Sequence, residues 1–418
     1  MNAHTMLADA RNQTDKLFEL VHPDWLYQRP IPERHRIVFY VGHLEAFDWN
    51  LLRPHMRNEE AFQAGFDRLF AFGIDPVDGG LPADTPSDWP SLAEIGGYNH
   101  RIRQTLDDAG HDCFLLHMAL EHRLMHAETL AYMLHQLPLE AKCAQPQAPV
   151  PPSEPVRRQT IEIAAGRATL GLARDGAFGW DNEFEAHPVD VPAFAIDRYK
   201  VTNGDYLEFV EAGGYHDRNL WTEAQWQWKA ERNIVHPAFW QRDGGGWRCR
   251  TMFDEIPLPL DWPVYVSHAE ASAYAKRGGL RLPTEAEWHR AAYGTPDGSE
   301  RQFPWGDEPP APRHGSFGFA RWDPAPVNAF PRGRSAFGID GLLANGWEWT
   351  STPFAPFDGF EAHPSYRGYS ADFFDGKHYV LKGGSTRTAA CMLRRSFRNW
   401  FQPHYQYVYA GFRCARGV

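Results

Sequence analysis

Residues 114–137, FLLHMALEHRLMHAETLAYMLHQL, decide the fold of the N-terminal part of this chain. The apolar residues of this stretch recur with the period of an α-helix. The same pattern recurs in DKLFELV at 15–21, IVFYVGHLEAFDWNLL at 37–52 and SLAEIGGYNHRIRQTLDD at 91–108, and Pro, Gly or Asp-rich turns bound each stretch. Four such helices predict an up-and-down four-helix bundle.

The same stretch carries the sharpest chemical signal in the chain. His122 and His126 are four residues apart, so on a helix both rings project from one face, about one turn apart. This spacing suits a single metal ion, and a bundle can bring His43 of another helix to the same centre. Imidazole suits zinc, iron, copper or nickel, so the metal stays open here. A chance pair among 20 histidines is the competing interpretation.

A proline-rich segment divides the chain. Residues 141–158, AKCAQPQAPVPPSEPVRR, contain five prolines, which oppose helix, so this segment is predicted to be an extended linker. The predicted domains are therefore 1–140 and 159–418. The second domain shows short strands such as QTIEIAAG at 159–166 and two helical patterns, VTNGDYLEFVEAG at 201–213 and SHAEASAYAKRG at 267–278, which predict an α+β domain rich in loops.

Composition excludes several classes of partner. A formal net charge of −11 and a sequence pI near 6.0 argue against binding to nucleic acid or to an anionic membrane. The N-terminus lacks the apolar core of a secretory signal, and no apolar run approaches the roughly eighteen residues of a membrane span. Five cysteines without a close pair fit a reducing compartment. We therefore predict a soluble cytoplasmic protein.

Several motifs, taken together, resemble one enzyme family. GHLEAFDW at 42–49 and HRLMHAE at 122–128 resemble the DinB-like helical domain of the ergothioneine-type sulfoxide synthases. The second half resembles their formylglycine-generating-enzyme-like, C-type-lectin-like domain, through RLPTEAEWHRAA at 281–292, NGWEWTSTPFAPFDGF at 345–360, YVLKGGS at 379–385 and RNWFQPHYQYVYAGFR at 398–413. The resemblance implies a multidomain α+β protein whose second domain walls off the substrate site.

The resemblance also implies a cofactor and an activity. The metal held by His43, His122 and His126 would be iron(II). It would activate O₂ and join a sulfur nucleophile to C2 of the imidazole of hercynine, the trimethylated betaine of histidine.

Residue roles follow from the same resemblance. Asn399 and Trp400 would hold the hercynine betaine, the competing interpretation being a buried structural corner. Met125 would line the substrate pocket. Tyr98 matches a tyrosine near the substrate, although simple packing is as good an explanation. Tyr366 is the candidate proton donor, with Tyr369 as the fallback.

One segment departs from the family pattern. Relatives that use cysteine or γ-glutamylcysteine carry an acid or aromatic residue and then arginines after the RN-aromatic motif, whereas residues 401–407 read FQPHYQY. A zwitterionic thiol needs charged partners, and leaving its charges unpaired is costly. Phe401, Tyr405 and Gln406 suit a neutral, polyhydroxylated donor instead, which favours the selenoneine synthase branch, where a selenosugar is joined to hercynine through a C–Se bond. Replacement arginines from another loop remain an alternative: Arg387, Arg394, Arg395 or Arg398.

Other functions stay open on the sequence. An ergothioneine-type synthase that takes cysteine or γ-glutamylcysteine is the first alternative. A non-enzymatic ligand-binding module and a zinc-dependent thiol transferase are alternatives of other classes. A copper-dependent formylglycine-generating oxidase is disfavoured, because that chemistry needs two close cysteines and Cys391 has no near partner in the sequence.

Overall fold

The protein is represented by a computed structural model that describes residues 3–56, 60–71, 84–107, 113–146, 149–151, 153–154 and 156–418. Two compact units divide the chain, Met1–Gln145 and Pro146–Val418. The helices are α1 Ala3–Glu19, α2 Ile37–Leu52, α3 Ala64–Leu69, α4 Leu92–Asp107, α5 Cys113–His135, α6 Asn203–Glu211, α7 Glu223–Glu231, α8 His268–Arg277 and α9 Glu285–Tyr293. Over these described ranges, no helix combines the length and the apolar character that crossing a bilayer requires.

The first unit is a helical bundle, as predicted. Helix α2 packs against α4 and α5, and α1 packs along α5. Most of α2 and nearly the whole of α5 are buried, which explains why their sequences are apolar on several faces rather than along one stripe. The predicted bounds of α2 agree with the structure, whereas α1 begins at Ala3, well before 15, and the short α3 was not predicted. Position 108, at the end of the predicted fourth helix, lies outside the described residues.

The predicted linker begins at the last residue of a 3-10 helix, Leu139–Ala141, and Lys142 that follows has extended backbone. Its start stays with the first unit, because Lys142 forms a β-bridge with Val21 and Cys143 donates its backbone N–H to Leu20. Farther on, Arg321 donates to the carbonyl of Pro149 at 2.5 Å. Residues 147, 148, 152 and 155 of the predicted linker lie outside the described part of the chain.

The second unit is an α+β domain, which confirms the predicted fold class. Its strands are β1 Thr160–Ile163, β2 Gly166–Leu170, β3 His187–Val191, β4 Phe194–Asp197, β5 Trp240–Asp243, β6 Gly246–Arg250, β7 Glu255–Pro257, β8 Trp347–Pro353, β9 Tyr379–Lys382, β10 Asn399–Phe401, β11 Ala410–Gly411 and β12 Ala415–Gly417. They form sheets in the orders β1-β4-β12, β10-β9-β8-β11, β2-β3 and β5-β6-β7. All pairs are antiparallel except β11 with β8. Strand β10 lies at the edge of the four-stranded sheet, so Asn399 and Trp400 have a strand on one side only.

Helices α6 and α8 occur where the sequence predicted them, but α7 and α9 were missed. Both missed helices begin with a capping box. The hydroxyl of Thr222 accepts from the backbone of Gln225, and that of Thr284 accepts from the backbone of Glu287. The pattern Thr-x-x-Glu or Thr-x-x-Gln is a known helix start, so the signal was present in both stretches.

The motif around β8 is held by a buried ion pair and a close backbone approach. Glu348 accepts two hydrogen bonds from Arg413, at 2.6 and 2.8 Å, and one from the indole of Trp288 at 3.0 Å. Gly346 has φ +115, and a Cβ there would lie 2.7 Å from the ring of Tyr265. These contacts tie β8 to α9 and to the C-terminal strands.

A second buried ion cluster fixes the helices of the first unit. Arg123 of α5 is fully buried and donates to Asp48 at 2.7 Å and to the carbonyl of Leu44 at 3.0 Å. The same guanidinium lies 2.9 Å from Glu45, which also accepts from Arg103 of α4. Because both carboxylates belong to α2, these bonds set the register of α5 against α2.

We expect Arg123→Met to lower the free energy of unfolding of the helical unit by about 3–5 kcal/mol, because two buried carboxylates lose their main partner. The matched control is Arg68→Met on the exposed side of α3, which should change it by less than about 0.5 kcal/mol. Urea unfolding followed by far-UV circular dichroism measures both. Equal losses in the two variants would contradict this role of Arg123.

Candidate metal centre

Three histidines converge inside the helical unit. His43 comes from α2, and His122 and His126 come from α5. The Nε2 atom of His126 lies 3.3 Å from that of His43 and 3.1 Å from that of His122. All three side chains are buried, and together they form the one group of three or more metal-binding side chains found across the described ranges.

The electrostatics of the group suit a cation. Nδ1 of His43 donates to the carbonyl of Phe70 at 2.6 Å, which leaves Nε2 with its lone pair. Burial lowers the pKa of His43 to about 4, and burial lowers the pKa of His122 and of His126 well below the usual value, so the rings are neutral at pH 7. An ion bonded to imidazole nitrogens at about 2.1 Å, with ligand angles of roughly 90–110°, needs nitrogens about 3.0–3.4 Å apart. The histidine group therefore fits a metal ion.

Aromatic rings hold two of these histidines in place. Phe47 stacks on His122 with ring centroids 3.4 Å apart, and Phe39 stacks on His43 at 4.7 Å. Phe39, His43 and Phe47 follow one another at intervals of four on α2, a spacing that places them on one helix face and that sequence reasoning overlooked. The carbonyl of Phe70 had no such signal, because any residue provides a backbone carbonyl.

Two further predicted residues lie in the same unit. Met125 is half-buried on α5. Tyr98 is buried, donates its hydroxyl to Asp67 at 2.8 Å and packs edge-on against Phe66. The hydroxyl of Tyr98 is thus engaged in packing α4 against α3, and its contact with substrate stays a prediction.

The second unit gathers the other predicted residues into an aromatic cluster. Trp400 stacks on Phe354 at 4.2 Å and meets the ring of Tyr369 at 5.3 Å and 82°. Tyr369 in turn stacks on Trp180 at 3.9 Å, and Tyr366 packs against both Tyr369 and Trp180. Trp400 and Tyr366 are half-buried, whereas Tyr369 is buried. We call this set the aromatic cluster; its members are Trp180, Phe354, Tyr366, Tyr369, Phe373 and Trp400.

Asn399 precedes Trp400 on β10 and is half-buried. Its side-chain carbonyl accepts the backbone N–H of Trp400 at 2.9 Å. That bond fixes the side-chain orientation and leaves the amide nitrogen as a donor.

The aromatic side chains of the divergent segment 401–407 also pack against one another. Phe401 stacks on Tyr405 at 5.0 Å, and Tyr405 meets Tyr407 edge-on at 5.5 Å. Gln406 is half-buried beside them. The predicted donor contacts Phe401 and Tyr405 therefore do lie together.

The four arginines that the sequence left as replacements are held by other groups. Arg398 donates to Glu285 at 3.0 Å, and Arg394 and Arg395 pair with Glu183 and Glu300. Arg387 lies over the ring of Trp322 at 3.8 Å and donates to the carbonyl of Phe319 at 3.0 Å. Each of the four guanidinium groups thus already contacts another group of the protein.

Comparison with known proteins yields consistent similarities. The family model described as a sulfatase-modifying factor enzyme 1-like domain matches residues 147–418. A hercynine oxygenase of Mycolicibacterium thermoresistibile is 40% identical over 99% of this chain and 94% of its own length. A hercynine oxygenase of Mycobacterium tuberculosis is also 40% identical, over 73% of this chain and 72% of its own length. Ergothioneine biosynthesis protein 1 of Schizosaccharomyces pombe is 28% identical over 95% of this chain and 54% of its own length.

We expect the wild-type chain to bind about one divalent ion and His126→Ala to retain below about a tenth of it, because two imidazoles do not make a tight site. The control is His117→Ala, a half-buried histidine of the same helix that is not part of the group. Metal content after anaerobic loading with iron(II), cobalt(II) or zinc(II) and desalting measures both. Full loading of His126→Ala would rule out this centre.

Proposed function

The chain belongs to the hercynine oxygenase family and contains that family's sulfatase-modifying factor enzyme 1-like domain, and from this membership we propose that it oxidises hercynine with O₂ at an iron(II) centre. The observation that carries the proposal is the convergence of three neutral histidine Nε2 atoms, 3.1 and 3.3 Å apart, in a chain related to these enzymes over nearly its whole length. His43, His122 and His126 would hold the iron. When bound, iron(II) supplies the activation of O₂.

Asn399 and Trp400 bind the betaine part of hercynine in this proposal. A quaternary ammonium donates no hydrogen bond and is attracted by aromatic faces, of which the aromatic cluster offers several. The amide nitrogen of Asn399 can donate to the carboxylate of the betaine. Half-burial of Trp400 and Asn399 is consistent with a role that needs access from outside.

Tyr366 is the better candidate for the proton donor. Its ring is half-buried, so a substrate can approach its hydroxyl, whereas Tyr369 is only 9% exposed and stacks on Trp180. We therefore keep Tyr369 as the alternative and give it mainly the task of supporting Trp400. Met125, next to His126, and Tyr98 stay candidate pocket residues.

The second substrate is a selenosugar in our proposal. The segment 401–407 presents aromatic and amide side chains, and the neighbouring arginines are committed to carboxylates, carbonyls and a tryptophan ring. An amino-acid thiol carries a carboxylate and an ammonium that need partners of opposite charge. A sugar needs only hydrogen bonds and an apolar ring face, which Gln406, Phe401 and Tyr405 can provide.

The proposed reaction balances in atoms and electrons. The C2–H bond of hercynine and the Se–H bond of the donor break, and a C–Se bond forms. One oxygen atom of O₂ goes to selenium as the selenoxide, and the other leaves as water with the two hydrogens. The four electrons that O₂ accepts come from the new bond and from selenium. Tyr366 delivers a proton to the departing oxygen.

The second candidate function is an ergothioneine-type synthase, in which cysteine or γ-glutamylcysteine takes the place of the selenosugar. It is favoured by the similarity to ergothioneine biosynthesis protein 1. A zinc-dependent thiol transferase and a non-enzymatic module would consume no O₂. The cytoplasmic location stays a prediction.

We expect the iron-loaded enzyme, given hercynine and O₂, to form a selenium adduct from a 1-seleno sugar at least about tenfold faster than the adducts of cysteine or γ-glutamylcysteine, because the thiols leave charges unpaired. Mass spectrometry of separate reactions identifies the products, and an oxygen electrode follows turnover. Faster reaction with either thiol would favour the second candidate function. No O₂ uptake with any donor would contradict the proposal that the chain oxidises hercynine with O₂.

We expect Trp400→Ala to weaken hercynine binding roughly tenfold, because an aromatic face next to the ammonium is lost. Calorimetry on the anaerobic, metal-loaded protein measures the dissociation constant. Trp226→Ala, which removes a half-buried tryptophan of α7, is the matched control and should bind as the wild type does. Unaltered affinity for hercynine in Trp400→Ala would show that the betaine binds elsewhere.

A further inference from the structure

Asp181 is a buried carboxylate that lacks a cationic partner. It is 6% exposed, and among the described residues no Lys, Arg or His side chain forms an ion pair with it, so its donors are the hydroxyl of Ser370 and the backbone N–H groups of Asn182 and His363. Oδ1 accepts the hydroxyl of Ser370 at 2.5 Å, while Oδ2 is buried without a hydrogen-bond partner. Burial raises the pKa of Asp181, and the hydrogen bonds from Ser370, Asn182 and His363 offset this effect only in part. An unpaired charge of this kind is costly unless something supplies the missing partner.

Neighbouring buried carboxylates do have such partners. Glu183 pairs with Arg394, Glu285 with Arg398 at 3.0 Å, and Glu348 with Arg413 at 2.6 Å. The side-chain amide of Asn182, next to Asp181, is 1% exposed, and neither its oxygen nor its nitrogen has a partner. Asp181 and Asn182 together therefore carry three buried side-chain atoms without a hydrogen-bond partner.

The position of Asp181 connects it to the aromatic cluster. Trp180 precedes it and stacks on Tyr369 at 3.9 Å, and Ser370, which donates to Asp181, follows Tyr369. Tyr369 meets the ring of Trp400 at 5.3 Å. The chain neighbours of Asp181 and its bond from Ser370 thus connect it to the aromatic cluster, whose members Trp400 and Tyr366 are half-buried.

We propose that Asp181 is the counter-charge for the quaternary ammonium of hercynine, and so a specificity-determining residue of the aromatic cluster. This inference rests on the proposed function. A trimethylated ammonium cannot donate a hydrogen bond, so a site selects it by charge and by aromatic surface. Asp181 supplies the charge, and Trp180, Tyr369 and Trp400 supply the surface. Arg398 holds the backbone next to Asp181, because it donates to the main-chain carbonyl of Asn182 at 3.3 Å.

The test is Asp181→Asn in the full-length, metal-loaded protein. This change keeps the shape and the acceptor for Ser370 but removes the charge. Calorimetry under anaerobic conditions compares two ligands, hercynine and 3-(imidazol-4-yl)propanoate, which keeps the imidazole and the carboxylate but has no ammonium. We expect hercynine to bind roughly ten- to a hundredfold more weakly, and the ammonium-free ligand to bind unchanged or more tightly.

Weaker binding of hercynine, with unchanged or tighter binding of the ammonium-free ligand, separates recognition of the ammonium from a structural role of Asp181. Equal weakening of both ligands, or no weakening of hercynine, would overturn the inference. Ser370→Ala is the matched control, because it removes the hydrogen bond to Asp181 and keeps the charge; both ligands should then change less than about threefold.

A competition experiment on the wild type needs no variant. Tetramethylammonium should displace hercynine but leave bound 3-(imidazol-4-yl)propanoate in place, and failure to displace hercynine would also overturn the inference. If the wild type does not bind hercynine at all, the proposed function fails and this inference falls with it. If hercynine binds equally well to the wild type and to Asp181→Asn, only the role of Asp181 fails.

Discussion

The buried guanidinium of Arg123 is the constraint on which the histidine group depends. A charge with no access to water tolerates only arrangements in which its partners are in reach. Its partners Glu45 and Asp48 both lie on α2, so α5 has one acceptable register against α2. Arg123 follows His122 directly, and Glu45 and Asp48 follow His43 within five residues. A register fixed by the ion cluster therefore also fixes the distance between the histidines on the two helices.

Exclusion of water acts in both units, with different consequences. In the helical unit it keeps three imidazoles neutral, so that their lone pairs face one another and favour a cation among them. In the second unit it makes the carboxylate of Asp181 costly to leave unpaired. In our proposal each site therefore attracts positive charge, a metal ion in one unit and an organic cation in the other.

The sequence predicted the parts of the fold that depend on local pattern. The bounds of α2 and the spacing of His122 and His126 follow from helical periodicity alone. Helices α7 and α9 carried a local signal, the capping box, and were missed because short amphipathic segments among tryptophans and prolines show little periodicity. The fold of the second unit came through the resemblance of several motifs rather than through the pattern of any one strand.

Contacts between distant parts of the chain could not be predicted in the same way. The carbonyl of Phe70 that orients His43 is 27 residues away in the sequence, and Ser370, which bonds Asp181, is 189 residues away. Neither partner is marked by its residue type.

The arginines of the second unit show why a list of residues is a poor guide to specificity. Arg394, Arg395 and Arg398 lie just before the segment 401–407, and by sequence alone each is able to bind a carboxylate of a substrate. In the structure each pairs with a carboxylate of the protein. Recruiting one of them to a substrate would leave a buried or half-buried acid behind, at the cost of an unpaired charge. The arginines of the 387–398 segment are therefore already paired, which in our proposal favours a cationic first substrate recognised by Asp181 and a neutral second one.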